Sequence, residues 1–360
     1  MAKLKVAVIF GGKSNEHEIS LISAAHVIRS IPRDKYDVIT IGISKKGHWF
    51  KYIGDVDLIP TGEWEKQPDN VPCIFSPDPI HKGFIAFEKD SEAVNIKVDC
   101  VFPVLHGRNG EDGTIQGLFE LSGVPFVGCD LLSSAMCMDK DITHTILEAN
   151  GIKTAKWVRI LRSELDEKLA EKCDEMDKKL SYPMFVKPCN CGSSVGITRV
   201  TDRASLEAGI KMAFVHDKKV IVEEGISGRE IECAVMGNDK AFASDIGEIT
   251  TECEFYDYEA KYEDKGSKVI IPAAVGEKER EAIRETALRG YHALGCEGLA
   301  RVDFFLTDSN EVIINEINTL PGHTGISMYP KLMEHAGIPY EEQEDRLIKL
   351  ALDRAGVDYE

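Results

Sequence analysis

The sequence predicts an α/β protein with more than one domain, and three features support this. An apolar strand at residues 3–10 is followed by a helix from about Asn15 and a strand at Tyr36–Ile43, the order of a βαβ unit with parallel strands. A strand–loop–strand segment lies in the middle of the chain, and a hairpin lies near its end. The length of 360 residues is enough for two or three separate cores.

The hairpin near the end of the chain gathers polar side chains on one face. Its strands, residues 298–306 and 312–318, follow the period-two pattern of strands with one buried face. That period places four polar residues on the facing sides of the two strands: Arg301, Asp303, Glu316 and Asn318. Carboxylate and amide oxygens are the ligands of Mg²⁺ that is shared with nucleotide phosphates, and a solvated hairpin face is the alternative.

The middle segment has the composition of a phosphate-binding flap. The strand Met184–Pro188 leads into a loop rich in glycine and serine at residues 189–196, and a second strand follows at Ile197–Val200. Backbone NH groups in such a loop can approach phosphate oxygens unobstructed by side chains. Because strands flank the loop on both sides, it is not a P-loop, and a flexible hairpin is the alternative. Lys187 supplies positive charge just before the loop.

Composition limits the classes of function. The formal net charge of −18 argues against a general affinity for nucleic acid or for anionic membranes. No apolar run approaches the roughly 20 residues of a membrane span, and the first residues lead into a strand rather than a signal-peptide core. The ten cysteines form no C-x-x-C pair and no zinc spacing, so reduced thiols in a cytoplasmic enzyme are expected.

Further elements suggest how the chain is divided. Residues 47–97 contain five prolines and are expected to form surface hairpins and loops within the first domain, which should close near Gly128. Four more elements are expected: a strand at 100–105, helices at 113–121 and 141–149, and a strand at 220–224 that leads into the last domain. The charged run at residues 250–266 has no clean period, and it is either an exposed loop or an active-site lid.

An apparent phosphate-loop pattern, A-x-x-x-x-G-K-S at Ala7–Ser14, is rejected. Most of it is strand, which leaves too little loop to wrap a phosphate chain. The helix that follows opens with Glu16 and Glu18, whose charge would repel phosphate but would suit an ammonium group. A helix-dipole partner is the alternative for Glu16. Lys140 begins a helix, where a lysine is unfavourable, so a phosphate partner would explain it.

Taken together, these segments resemble the ATP-grasp superfamily and, more narrowly, the D-alanine–D-alanine ligase family. The resemblance extends from Val6 to about Leu332. Its motifs occur in the family's order: Gly11 to Ser20, His106 to Gly113, Met138-Asp-Lys140, Lys187-Pro with Gly192 to Gly196, Tyr256 to Tyr262, Arg301-Val-Asp303, and Asn315 to Asn318 with Pro321-Gly322. Each motif is weak alone, whereas the ordered set is specific.

The resemblance implies a three-domain ATP-grasp architecture with a Rossmann-like, parallel-sheet first domain. The domains would be residues 1–128, residues 129–222 with the flap, and residues 223–360 with the metal site and the lid at 250–266. The family's activity is the joining of two D-alanines by ATP through an acyl phosphate, for peptidoglycan synthesis. Two Mg²⁺ ions, replaceable by Mn²⁺, are implied as cofactors, with K⁺ as a further candidate and a homodimer as the assembly.

The resemblance also assigns roles to single residues. ATP would be held by Lys140, Lys187 and Lys261 at the phosphates, by Glu223 at the adenine and by Glu230 at the ribose. Metal would be held by Asp303, Glu316 and Asn318. The oxyanion site would consist of Arg301 and the Gly322 NH. A hydrogen-bonded triad would consist of Glu16, Ser193 and Tyr262. The amino acids would also be contacted by His106, Ser327 and Met328, and Glu16 would bind the ammonium group of the first.

Alternatives to this reading differ in substrate or in class. Met328 occupies a position where ligases of the vancomycin-resistance type carry arginine, which favours D-alanine over D-serine or D-lactate as the acceptor. His323 departs from the family's usual apolar residue and leaves the second subsite open. Another ATP-grasp ligase or a nucleotide-binding module without catalysis fits these motifs less well. The missing G-x-G-x-x-G argues against a dehydrogenase.

Overall fold

A computed structural model describes residues 2–89, 92–251 and 267–359. Strands in this part of the chain form three sheets, each followed or covered by helices. The N-terminal sheet contains β1 Leu4–Gly11, β2 Tyr36–Ile43, β3 Trp49–Tyr52, β4 Val71–Phe75, β5 Gly83–Ala86, β6 Val94–Lys97 and β7 Cys100–Val104. Its helices are α1 His17–Ser30 and α2 Thr114–Ser122, and α3 Leu131–Met138 follows.

The centre of this first sheet is parallel, as the βαβ pattern predicts. Strand β1 pairs in parallel with β2 on one side and with β7 on the other. The expectation for residues 47–97 is wrong in part, because β3 to β6 continue the sheet as antiparallel strands. Trp64 from this region is fully buried and packs edge-on against Phe10, so the insertion contributes to the core.

The middle sheet is antiparallel and carries the flap. Its strands are β8 Trp157–Leu161, β9 Met184–Pro188, β10 Thr198–Val200 and β11 Lys219–Glu224, in the order β10-β9-β11-β8. Its helices are α4 Lys140–Ala149, α5 Leu165–Lys179 and α6 Arg203–Ala213. Pairing of β9 with β10 closes the flap as a hairpin. The predicted boundary at 222/223 falls inside β11, whose last residue still pairs with Met184.

The third sheet is antiparallel and supplies the acidic hairpin. Its strands are β12 Gly228–Met236, β13 Phe242–Thr251, β14 Ser267–Ile270, β15 Leu299–Thr307 and β16 Val312–Asn318. Its helices are α7 Glu277–Ala293, α8 Met328–His335 and α9 Tyr340–Arg354. No helix in the described ranges is both long and apolar enough to cross a membrane.

The last helix, α9, packs against the N-terminal sheet, so the two ends of the chain are in contact. Residues of α9 such as Leu347 and Leu352 share a buried cluster with Val6 and Phe10 of β1. The hydroxyl of Tyr36 donates to Asp345 on α9 at 2.9 Å. The predicted division into domains 1–128, 129–222 and 223–360 stays a prediction, and the packing of α9 on the first domain is an addition to it.

Glu344 on α9 is a buried carboxyl inside this shared core. Its side chain is fully inaccessible, and neither of its oxygens has a hydrogen-bond partner among the residues described. Burial therefore raises the pKa of Glu344 well above its ordinary value, so the folded protein binds this proton more tightly than the unfolded chain does. The unfolded chain releases that proton above about pH 4.5, so this group lowers stability as the pH rises.

We expect Glu344→Gln to stabilise the protein at neutral pH, because the amide removes the proton uptake that folding requires. The gain should be absent near pH 4 and grow by about 1 kcal/mol per pH unit above the ordinary pKa. Denaturant unfolding at pH 4, 5.5 and 7 measures it. Glu341→Gln, an exposed change on the same helix, is the control and should show no such trend. A gain of equal size at every pH would contradict the proton linkage.

Candidate functional site

One pocket of about 750 Å³ lies where the three sheets meet. Its wall includes ten of the residues singled out from the sequence: Glu16, His106, Lys140, Ser193, Arg301, Glu316, Asn318, Gly322, Ser327 and Met328. These come from the start of α1, the loop after β7, the start of α4, the flap, the acidic hairpin, the loop after β16 and the start of α8. Residues distant in sequence therefore contribute to one cavity, of the size usual for a small-molecule site.

The hairpin pairing predicted from the sequence is confirmed. Arg301 is directly opposite Asn318, and Asp303 is directly opposite Glu316. The register shifts after Asp303, so Asn315 is an extra residue in β16. This bulge lets Ile314 and Ile317 both join the core while Glu316 and Asn318 line the pocket.

The polar face of this hairpin lines the pocket through Arg301, Glu316 and Asn318, and its side chains are half-buried or buried. Asp303 is 9% exposed, and Glu232 on the neighbouring β12 is 7% exposed. Glu232 lies opposite Asp303 in register, so three carboxylates form a row across β12, β15 and β16.

Arg301 is the cation that faces this row. Its Nε and Nη2 donate to the two carboxylate oxygens of Asp303, each at 2.7 Å. Its Nε also lies 3.0 Å from Oε2 of Glu232. Burial alone lowers the pKa of Arg301, but Asp303, Glu232 and Glu316 hold it well above its ordinary value. Among the described residues, one arginine therefore faces a row of three carboxylates, and carboxylate oxygens are the kind of ligand that a divalent cation takes.

Glu16 connects the first domain to the flap. The Ser193 hydroxyl donates a hydrogen bond to Oε1 of Glu16. Glu16 is the N-cap residue of α1, and its side chain makes no capping hydrogen bond to that helix. A Cβ at Gly107 would lie 2.3 Å from Oε2 of Glu16, and only glycine fits there. Two of the three residues of the predicted triad are thus in contact.

The flap is held in a specific conformation beside Lys140. Ser193 and Ser194 both have positive φ, at 48° and 59°, a conformation that is costly for residues other than glycine. The Lys140 ammonium group donates to the carbonyl of Cys191 at 2.9 Å, and the Lys140 backbone NH donates to the carbonyl of Cys189. The lysine predicted at the phosphates is therefore in contact with the loop predicted to cover them.

Lys187 and Glu223, assigned to opposite ends of ATP, form one ion pair. The distance from Lys187 Nζ to Glu223 Oε2 is 2.6 Å, and His144 Nε2 lies 2.9 Å from the other oxygen. Burial by itself raises the pKa of the Glu223 carboxyl, but Lys187 and His144 hold it well below its ordinary value. His144 stacks on Trp157 and lines the pocket, so it links this buried pair to the cavity.

His106 is buried beside the backbone that leads into the predicted oxyanion site. Its Nδ1 lies 3.1 Å from the carbonyl of Leu320, and its Nε2 lies 3.1 Å from the Ser23 hydroxyl. Burial lowers the pKa of His106, but the carboxylates of Glu111 and Glu16 raise it to a net value above its ordinary one. The histidine therefore lies between the start of α1 and the loop after β16.

The loop after β16 and the start of α8 form the wall next to Arg301. A Cβ at Gly322 would lie 2.8 Å from Oγ of Ser327, so a larger residue there would displace the serine hydroxyl. The Ser327 Oγ accepts from the Thr324 NH at 3.0 Å. Met328 packs over Gly247 of β13, where a Cβ would lie 2.5 Å from its sulfur.

Some predicted residues are not part of this wall. Glu230 lies on β12 opposite Phe305, outside the pocket wall formed by the described residues. Three further predicted residues contact residues of the wall or pair with one that does. Asp303 is bound to Arg301, which lines the pocket. Glu223 contacts His144, which also lines it, and Lys187 pairs with Glu223. The two predictions on the lid, Lys261 and Tyr262, fall outside the described residues.

Sequence reasoning missed Glu232 and His144. Glu232 follows Glu230 by two residues on a strand, and this alternation indicated that both carboxylates share a face. His144 is four residues after Lys140, one turn along the same helix face, which is the only signal that could have found it.

These three sheets, with a flap hairpin facing an acidic hairpin, define an ATP-grasp protein. The chain belongs to the D-alanine–D-alanine ligase family. The model of that family's N-terminus, "D-ala D-ala ligase N-terminus", matches residues 5–129, and that of its C-terminus, "D-ala D-ala ligase C-terminus", matches residues 146–349. The resemblance predicted from the motifs is confirmed.

Similar proteins agree with this assignment. A D-alanine–D-alanine ligase of Caldicellulosiruptor bescii is 48% identical over 98% of this chain and 96% of its own length. The crystal structure of the VanG D-Ala:D-Ser ligase from Enterococcus faecalis has a TM-score of 0.90 at 44% identity, over 97% of this chain and all of that one. The D-alanine–D-alanine ligase structure from Coxiella burnetii has a TM-score of 0.85 at 34% identity, over 99% of this chain and 96% of that one.

His323, which departs from the family pattern, points away from the pocket. Its ring packs near Phe102 and Tyr329 in the core, and the wall is formed by Gly322 and Thr324 on either side of it. Its Nε2 has no hydrogen-bond partner within the described ranges. Burial lowers the pKa of His323 to about 4, so the folded protein keeps the ring neutral.

We expect His323→Phe to remove an acid sensitivity of the fold. Between pH 6.5 and 4 the imidazole of His323 binds a proton in the unfolded chain but stays neutral in the folded protein. This histidine therefore lowers the free energy of unfolding as the pH falls through that range. The variant should gain about 2 kcal/mol relative to wild type between pH 8 and pH 5. Unfolding in urea at both values measures this gain. Exposed His48→Phe is the control, and an equal gain there would contradict the role of burial.

Proposed function

We propose that this chain uses ATP to join two D-alanines into D-alanyl-D-alanine, the dipeptide required for peptidoglycan synthesis. The observation that carries the proposal is one cavity in which Glu16, the flap, the lysine of α4 and the acidic hairpin all meet, in a chain of the D-alanine–D-alanine ligase family. Such a site offers separate partners for an ammonium group, for phosphates and for a divalent cation.

The proposed reaction has two steps. The carboxylate of the first D-alanine attacks the γ-phosphorus of ATP, which gives an acyl phosphate and ADP. The amine of the second D-alanine, after losing a proton, attacks the acyl carbon, and phosphate leaves with the bonding electrons. Negative charge builds up in both steps, so catalysis depends on positioning and electrostatic stabilisation.

ATP would be bound by lysines at its phosphates and by glutamates at its adenine and ribose. Lys140, Lys187 and Lys261 would bind the phosphates, and Glu223 and Glu230 would bind the adenine and ribose. The contact of Lys140 with the flap supports its place at the phosphates, because the flap carries the loop NH groups. Lys187 forms a 2.6 Å ion pair with Glu223. To bind a phosphate, the ammonium group would either leave Glu223 or contact both the carboxylate and a phosphate oxygen, and either change involves only this side chain.

The row of carboxylates is the proposed metal site. Asp303, Glu316 and Asn318 would hold two Mg²⁺ ions, for which Mn²⁺ could substitute, and K⁺ is a further candidate activator. The ions would neutralise charge on the β- and γ-phosphate oxygens. Among the described residues, the row of three carboxylates beside Arg301 supports a divalent cation here.

Residues around the reacting carbonyl complete the proposal. Arg301 and the NH of Gly322 would stabilise the oxyanion, and His106 would lie beside the carboxylate of the first D-alanine. Glu16 would bind that D-alanine's ammonium group. Closure by Glu16, Ser193 and Tyr262 would exclude water from the acyl phosphate. The Ser193–Glu16 contact supports this closure.

D-alanine is proposed for the acceptor site as well. Met328 and Ser327 line the pocket beside Arg301, and the apolar Met328 side chain matches a methyl group rather than a hydroxyl. The resemblance to a D-Ala:D-Ser ligase structure makes D-serine the acceptor to test against it. A homodimer and a cytoplasmic location, where ATP is supplied, are also part of the proposal.

The proposal is tested by measuring phosphate release from Mg-ATP with D-alanine alone and with an equal concentration of D-serine, and by identifying products by mass. We expect D-alanyl-D-alanine from D-alanine alone and mostly the same product when D-serine is added. A predominance of the mixed product would change the acceptor to D-serine. Absence of any dipeptide would overturn the substrate.

We expect Lys187→Ala and Glu316→Ala each to reduce turnover at least about 100-fold, because each removes a charge opposed to the phosphates or the metal. Steady-state phosphate release measures the effect. Lys156→Ala and Glu311→Ala are matched controls, since exposed Lys156 and half-exposed Glu311 both belong to ion pairs outside the pocket wall. Wild-type rates in either site variant, with folding intact, would contradict the site.

A further inference from the structure

We infer that Glu232 is a positioning residue that keeps Arg301 in place when Asp303 is engaged by Mg²⁺. The inference rests on the proposed function and adds a residue to which the family resemblance assigned no role. It starts from the observation that Arg301 and Asp303 are each assigned a different task, yet are bound to each other.

The shared contact of Asp303 creates a conflict. Both of its oxygens accept from Arg301, at 2.7 Å each. Mg²⁺ takes carboxylate oxygens at short distance and in a strict geometry, so a bound ion competes with the guanidinium for Asp303. Without a second anchor, the side chain of Arg301 would lose its bidentate contact with Asp303 at the step in which its position matters.

Glu232 is placed to be that second anchor. Its Oε2 lies 3.0 Å from Nε of Arg301, the same nitrogen that donates to Asp303. It projects from β12, a strand inside the sheet, and is only 7% exposed. This contact is an ion pair, and its geometry is not that of a hydrogen bond. Attraction between a buried carboxylate and a guanidinium at this distance keeps the arginine beside Glu232 when Asp303 is engaged.

Charge balance favours the same role. Among the described residues, the facing row of Glu232, Asp303 and Glu316 lies beside one arginine, Arg301. If the ions are bound mainly by Asp303 and Glu316, Glu232 is the carboxylate left to neutralise Arg301. A direct role of Glu232 as a metal ligand is the competing outcome, because it lies in register with Asp303. Its contact with Nε supports the anchor.

The consequence concerns the step in which Arg301 stabilises the oxyanion. A guanidinium displaced by a fraction of an ångström loses much of its electrostatic effect on a transition state. Glu232 should therefore affect kcat more than the binding of Mg-ATP. The isostere glutamine keeps the volume and the polar oxygen of the side chain without its charge, whereas alanine removes all three.

The test compares Glu232→Ala and Glu232→Gln with Glu248→Ala. Glu248 is an equally buried carboxylate in the same sheet that forms a bidentate pair with Arg229. It lies opposite Ile231, so it belongs to the other face, away from the pocket. It therefore reports the cost of removing a buried glutamate–arginine pair without touching the site.

We expect Glu232→Ala to lower kcat about 10- to 100-fold, because loss of this ion pair lets Arg301 shift away from the position where it stabilises the oxyanion. The KM for ATP and the Mg²⁺ concentration at half-maximal rate should stay near wild type, and Glu232→Gln should recover part of kcat. Unchanged kcat in Glu232→Ala would overturn the inference. A raised Mg²⁺ requirement with full kcat at saturation would also overturn it, since Glu232 would then be a metal ligand.

A second readout does not depend on turnover. Phenylglyoxal modifies accessible arginines, and the fraction of Arg301 modified can be measured by peptide mass in the presence of Mg-ADP. We expect protection of Arg301 in wild type and in Glu248→Ala, and greater modification in Glu232→Ala. Equal protection in all three would overturn the anchor. A wild-type protein that forms no dipeptide would instead overturn the proposed function, and the modification pattern would still decide this inference.

Discussion

The antiparallel register of β15 and β16 is the constraint on which the acidic part of the pocket depends. It brings Asp303 opposite Glu316 and Arg301 opposite Asn318, and the extra residue Asn315 keeps Ile314 and Ile317 in the core. A slip of one residue would turn the polar face toward that core. The apolar face therefore fixes the position of the charged one.

Buried charge is the second organising feature of the site. Arg301 lies among carboxylates on the acidic side, and Glu223 lies between Lys187 and His144 on the flap side. Each pair is desolvated, and such pairs contribute little net stability after the cost of burial. Their value is geometric, because a charged partner holds each side chain in one orientation before any substrate arrives.

Local patterns predicted a large share of the fold. The strands Tyr36–Ile43, Met184–Pro188 and Val312–Asn318 have the predicted bounds because their apolar alternation ends at turn residues. The region around Trp64 was predicted less well, since its prolines indicated loops while its aromatic residues pack in the core. A proline indicates only that one backbone NH donor is missing, and short antiparallel strands tolerate it near their ends.

The sequence by itself determined the family, the acidic hairpin and the flap, because these depend on residue type and short-range period. Tertiary structure decided which of those residues meet. The contact of Ser193 with Glu16, the pairing of Lys187 with Glu223 and the approach of Glu232 to Arg301 join residues far apart in sequence or on different strands. No local pattern records such distances, since they follow from how three sheets and the returning helix α9 pack around one cavity.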